Sequence, residues 1–157
     1  MTKKRPKLEI KCFPVDGNYW FSKNSFFEKR HGLQHNAIDI FSIRGNMYLY
    51  PFDGEIVRVT YEESGSKAGN SVTIKSENGI YSFASHLDEV YAVEGRQVKA
   101  GNMGGKVGNS GNAEKTKPHV HQSFYTIYAK NKHSFLNPTK ELLRLADPKL
   151  KSKIGWS

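Results

Sequence analysis

Apolar and polar positions alternate through the middle of the chain. The runs Gly54-Glu55-Ile56-Val57-Arg58-Val59-Thr60-Tyr61 and Asn70-Ser71-Val72-Thr73-Ile74-Lys75 follow a period of two. That period marks strands with one face in a core. A third run, Gly79-Ile80-Tyr81-Ser82-Phe83-Ala84-Ser85, is short and apolar. Glu77-Asn78-Gly79 before it predicts a hairpin turn, because asparagine and glycine tolerate positive φ. Turn signals recur about every 8–12 residues, the spacing of an antiparallel sandwich or barrel. His35–Phe41 alternates weakly and reads as a strand or its beginning, and Pro118–Tyr125 reads as another. Helix is scarce. One is expected from Asn137-Pro138 through Ala146, capped by asparagine, opened by proline and stopped by Asp147-Pro148. Residues 1–30 are less regular, and Trp20, Phe21, Phe26 and Phe27 are expected to pack on the sheet or wall a groove. The expected architecture is all-β: an antiparallel sheet folded into a sandwich-like groove with a short C-terminal helix. Residues 1–30 read as an N-terminal extension packing on the core, 31–146 as the main domain and 147–157 as a tail.

Composition narrows the class. A chain of 157 residues is one domain and buries roughly two-thirds of its unfolded surface, enough for a core without staples. Cys12 is the only cysteine, so neither an intrachain disulfide nor a four-cysteine zinc site can form. A net charge of +9 suits an anionic partner: nucleic acid, acidic lipid or bacterial wall polymer. No zinc finger, helix-turn-helix or RNA-binding aromatic signature accompanies it. The basic clusters at 3–7 and 149–153 read as solvated tails. No run of 18 apolar residues predicts a membrane span. The basic N-terminus lacks a following apolar stretch, so the sequence as it stands reads without a signal peptide. Delivery could then follow a removed leader, a phage lysin or an injected effector.

The chemistry concentrates in five residues: His35-x-x-x-Asp39, His86 and His119-x-His121. On strands, positions two or four apart share a face, so both pairs can line one cleft if their strands are neighbours. Zinc takes imidazole nitrogen and carboxylate oxygen, and a catalytic site keeps three protein ligands and an open position. Two histidines and one carboxylate meet that need and leave two histidines for proton transfer. Spacing alone leaves open which histidines bind. His31 and His133 are given no role.

From about His35 to Leu142 the chain resembles the lysostaphin-type (M23, LytM-like) zinc endopeptidases. Three blocks carry the resemblance, in family order. The first is His35-Asn36-Ala37-Ile38-Asp39-Ile40 with Arg44-Gly45 and Tyr50-Pro51-Phe52-Asp53-Gly54-Glu55-Ile56-Val57. The second is Tyr81-Ser82-Phe83-Ala84-Ser85-His86-Leu87 with Gly95-Arg96-Gln97-Val98-Lys99-Ala100-Gly101. The third is Gly105-Lys106-Val107-Gly108-Asn109-Ser110-Gly111-Asn112 with Pro118-His119-Val120-His121. The resemblance implies a LytM-like fold of the duplicated hybrid motif type. It implies Zn2+ held by His35, Asp39 and His121, with His86 and His119 as the catalytic pair. It further implies peptidoglycan as substrate, an envelope location in the periplasm or outside the cell, and a monomer with neither nucleic acid nor a membrane segment. Gln122 and Ser123 stand where the family often carries an aromatic residue and a glutamate. The charged stretch Asn112–Lys117 replaces the usual small-residue loop. Two other readings fit parts of the sequence: a non-catalytic envelope protein that binds wall or activates an amidase, and a basic nucleic-acid-binding domain.

Overall fold

The computed structural model describes residues 5–150. The basic clusters and the tail expected at the two ends therefore lie partly outside the described residues. A short β1 (Tyr19–Trp20) precedes a hairpin of β2 (Lys29–Arg30) and β3 (Leu33–Gln34). The chain continues through β4 (Ile38–Ser42), β5 (Met47–Leu49), β6 (Gly54–Thr60), β7 (Asn70–Lys75) and β8 (Tyr81–Val90). It ends with β9 (Gln97–Val98), β10 (Met103–Val107), β11 (His119–Ala129), β12 (Lys132–Leu136) and the helix α1 (Thr139–Leu145). Ten of these strands form one branched antiparallel sheet. Its main path is β1-β4-β11-β8-β7-β6-β9, with β12 beside β11 and β10 joining β8 to β5.

Period-two alternation divides the central strands into a core face and a groove face. Ile38 and Ile40 of β4, Val72 and Ile74 of β7, Ala84 of β8, and Val120 and Phe124 of β11 are all buried in the core. Each large apolar side chain buried there contributes about 1.5–3 kcal/mol. The intervening residues Asp39, Thr73, Ser85, His121 and Ser123 face a groove instead. The core face is closed by Ile10 and Phe21 from the N-terminal segment, Tyr48 of β5, Val107 of β10 and Leu142 of α1. The helix also fastens the first segment. Glu141 accepts the Ile10 N–H at 3.0 Å, and Arg144 donates to the Ile10 carbonyl at 2.8 Å.

The sheet follows the alternation closely, with four differences. Strand β8 runs on through His86 to Val90, because β11 partners it only over Tyr81–Ser85 and β10 takes over from Leu87. His86 sits at that change of partner with φ 66°. His35 lies ahead of β4, not on it. Its N–H donates to the Glu28 carbonyl at 2.7 Å, and Asn36 turns at φ 59°. The helix starts at Thr139, and Asn137 caps it by accepting the Thr139 N–H at 3.0 Å. Phe21 and Phe26 are core residues as expected, whereas Phe27 is exposed. The hairpin between β7 and β8 forms as expected, with Gly79 at φ 88°.

Two glycines bring the loops beside His86 together. A Cβ on Gly111, at φ 69°, would collide with the backbone of Lys67 and Gly69. The same loops hold His86: Ala68 accepts its N–H, and the Ser110 carbonyl lies 2.9 Å from its Nδ1. Gly111→Ala is therefore expected to cost about 1–3 kcal/mol and lower the melting temperature by several degrees. An unchanged melting curve would contradict this interlocking of loops.

Candidate metal centre and active site

Register builds the site. β11 pairs with β4 so that His121 stands opposite Asp39, and with β8 so that His121 stands opposite Ser85. His119, two residues earlier, shares the groove face. The Asn36 turn swings His35 over Asp39, and the His86 kink brings its ring beside His119, with centroids 5.2 Å apart. All five residues expected from the sequence therefore meet at one place. The i, i+4 strand argument for His35 and Asp39 gives the right outcome by the wrong route, since a turn and not a strand face unites them.

Three atoms that could hold a metal form a nearly equilateral triangle. His35 Nε2 lies 3.2 Å from His121 Nδ1, and the Asp39 Oδ1 lies 3.4 Å from each. Ligands at 2.0–2.1 Å around a tetrahedral ion stand about 3.3 Å apart. The triangle therefore fits a small divalent ion. Asp39 Oδ1 is buried and makes no hydrogen bond within the protein. A buried, unsatisfied carboxylate oxygen is costly unless a cation faces it. Burial alone would raise the Asp39 carboxyl, but the imidazoles of His121 and His35 outweigh it and hold the group well below the usual carboxylate range.

The other two histidines each set Nδ1 against a main-chain carbonyl. His86 Nδ1 lies 2.9 Å from the Ser110 carbonyl, and His119 Nδ1 lies 2.8 Å from the Lys117 carbonyl. Each contact is satisfied by the Nδ1–H tautomer, which leaves Nε2 with a free lone pair. His119 Nε2 stands 4.0 Å from Asp39 Oδ1, outside the triangle. Burial pushes the His86 imidazolium down to about 4, His119 and His121 add to this, and the Ser110 carbonyl opposes it. His86 is therefore neutral at pH 7.

The triangle sits where two hollows of about 560 and 630 Å³ meet, both bordered by His35, Ala68, Phe83 and His121. One half is floored by Ser71, Thr73 and Ser123 and walled by Tyr81 and Tyr125. His133 stacks on Tyr125 with centroids 4.2 Å apart. His31 borders the other half from the β2–β3 turn. Gln122 points the opposite way, into the core, where its amide donates to the Ser82 hydroxyl at 2.9 Å and to the Phe83 carbonyl at 3.2 Å. Sequence reasoning missed Ser25 and Arg30. Ser25 lies 2.9 Å from His35 Nδ1 through its carbonyl, and Arg30 donates to Asp39 Oδ2 at 2.8 Å.

Residues 33–138 match the model of peptidase family M23. No curated protein sequence matches the chain. Among solved structures, one similar fold is a LytM protein of Ruminococcus gnavus assigned as a glycyl-glycine endopeptidase. It is 24% identical, with a TM-score of 0.72 over 85% of this chain and 59% of that one. A second is the catalytic domain of the prophage-encoded M23 protein EnpA of Enterococcus faecalis, solved as a point mutant. It is 27% identical, with a TM-score of 0.64 over 80% of this chain and 95% of that one. A zinc-containing peptidase of Vibrio cholerae is 23% identical, with a TM-score of 0.64 over 82% of this chain and 39% of its own. The chain thus spans just over half of the Ruminococcus protein. With the family model covering residues 33–138, about two-thirds of the chain, the chain belongs to peptidase family M23.

Proposed function

We propose that the protein is a zinc-dependent endopeptidase that hydrolyses peptide bonds in the stems or cross-bridges of bacterial peptidoglycan, acting in the cell envelope. His35, Asp39 and His121 bind the metal, and His86 and His119 handle protons. The observation that carries this reading is the triangle of ligand atoms with an unsatisfied carboxylate oxygen at one corner. Zinc bound there would act as a Lewis acid and lower the pKa of its water to about 7. His86 and His119 each turn a free Nε2 toward the cleft. One accepts the proton of the attacking water, and either can deliver a proton to the departing amine. A protonated imidazole beside the reacting carbonyl also stabilises its developing negative charge.

The groove favours a slender peptide. Serine and threonine hydroxyls floor one half, a small-side-chain surface between Tyr81 and Tyr125. Glycine or D-alanine residues suit such a surface. The glycyl-glycine assignment of the Ruminococcus protein agrees with that preference. The net charge of +9 suits an anionic wall. A non-catalytic wall-binding role leaves the paired free Nε2 atoms without purpose.

Protein purified without chelator should carry one zinc by elemental analysis. Asp39→Ala and His121→Ala should lose it, and full occupancy in the His121→Ala protein would overturn the ligand set. His86→Ala and His119→Ala should keep the metal yet lose activity by about 10²–10⁴-fold. Loss of metal with activity in either would mean that residue is a ligand. Mass spectrometry of digested sacculi should find new amino and carboxyl ends within peptides and intact glycan strands. New reducing sugar ends without new amines would mean a different bond is cut.

A further inference from the structure

The segment 25–30 precedes the residues matched by the family model, which begin at 33. It nevertheless touches two of the three atoms groups that would hold the metal. Ser25 is buried in a short 3-10 turn, Ser25–Phe27. Its carbonyl lies 2.9 Å from His35 Nδ1, and its hydroxyl accepts the Asp39 N–H at 3.2 Å. The Phe26 and Glu28 carbonyls accept the N–H groups of Asn36 and His35 at 3.0 and 2.7 Å. Arg30, on β2, donates through Nη1 to Asp39 Oδ2 at 2.8 Å, and the same atom lies 3.1 Å from His35 Nε2. Its Nη2 donates to Glu28 at 3.1 Å.

We propose that Ser25 and Arg30 are positioning residues for the metal centre, so that residues 25–30 form its outer layer of hydrogen bonds. This rests on the reading of His35, Asp39 and His121 as zinc ligands. The Ser25 carbonyl fixes the Nδ1–H tautomer of His35 and thereby keeps the Nε2 lone pair directed inward. Arg30 holds Oδ2 of Asp39, which turns Oδ1 toward the two histidines. Neither contact follows from the His-x-x-x-Asp spacing, because both come from a segment folded back over it.

Arg30 brings a positive charge close to where a dication would bind, so two effects oppose each other. The hydrogen bond to Oδ2 preorganises the carboxylate, and the charge repels the ion. Glu28, on the other arm of the guanidinium, offsets part of that charge. Nη1 also stands 3.1 Å from His35 Nε2, a lone pair the ion needs, so it must leave that nitrogen while keeping Oδ2. On this inference the orienting bond to Oδ2 outweighs both costs, and Arg30 raises metal affinity. Asp39 is buried, so rotation away from the histidines after loss of Arg30 would take its Oδ1 out of the triangle.

Zinc affinity is the test, measured by competition with a chromophoric chelator on samples with matching far-UV circular dichroism. Removal of such an outer hydrogen bond typically weakens metal binding about 10–100-fold. Arg30→Ala should bind zinc at least about 10-fold more weakly than the unaltered protein. Arg30→Lys, which keeps the charge and one donor, should lie between the two. Ser25→Ala, which removes the hydroxyl but keeps the carbonyl, should weaken binding less than Arg30→Ala. At saturating zinc, Arg30→Ala should recover most of its kcat, since Arg30 acts through the metal ligands. Equal or tighter zinc binding by Arg30→Ala would overturn the inference, as would an Arg30→Lys protein no better than Arg30→Ala. Should Arg30→Ala fail to fold, the Arg30→Lys affinity decides: a value equal to that of the unaltered protein at low and high salt overturns it. If the unaltered protein bound no zinc, the metal reading itself would fall; normal binding by both proteins would remove only the role of Arg30.

Discussion

One buried oxygen governs the site. Asp39 Oδ1 stands in the protein interior without a hydrogen-bond donor, facing two imidazole nitrogens at 3.4 Å. Such an atom destabilises a fold by about 1–3 kcal/mol when left unsatisfied. A domain with a stability of about 5–15 kcal/mol tolerates few of them. The rest of the site is arranged around that atom: β11 supplies His121 from across the strand pair, the Asn36 turn supplies His35, and Arg30 of β2 holds the far side of the carboxylate.

The sheet sets this arrangement through its register. A slip of one residue between β4 and β11 would exchange the two faces of a strand. Val120 and Phe124 would turn into the groove, and His121 would enter the core. Burial of Ile38, Ile40, Val120 and Phe124, each worth about 1.5–3 kcal/mol, opposes any such slip. The same apolar residues that hold the domain together therefore hold His121 opposite Asp39. Gln122 belongs to that core face. Its amide satisfies Ser82 and the Phe83 carbonyl, so this departure from the family's usual aromatic residue changes packing beneath the groove and leaves the histidines in place.

Much of this was legible in the sequence where a period of two applied. The strands at 54–60 and 70–75, the hairpin at Gly79 and the shared face of His119 and His121 all follow from alternation and turn chemistry. His86 was legible only through its resemblance block, because φ 66° at a change of strand partner leaves no periodic trace. His35 and Asp39 do come together as the sequence suggested, but the turn at Asn36 that joins them is invisible to strand spacing. Ser25 and Arg30 were not legible at all. Ser25 acts partly through its main-chain carbonyl, which every residue type possesses, and Arg30 reaches Asp39 across a fold-back that no local pattern encodes.

The four histidines of the site have the same side chain, so only their surroundings can divide ligands from bases. Three of them, His35, His86 and His119, have Nδ1 against a main-chain carbonyl and turn Nε2 inward. His121 presents Nδ1 itself. Tautomer therefore does not separate His35 from His119, but distance does. Nε2 of His35 stands 3.4 Å from Asp39 Oδ1, close to the edge of a tetrahedral coordination sphere, whereas Nε2 of His119 stands at 4.0 Å. A few tenths of an ångström, set by whether the ring hangs from the Asn36 turn or from the first residue of β11, separate a metal ligand from a proton acceptor in the proposed mechanism.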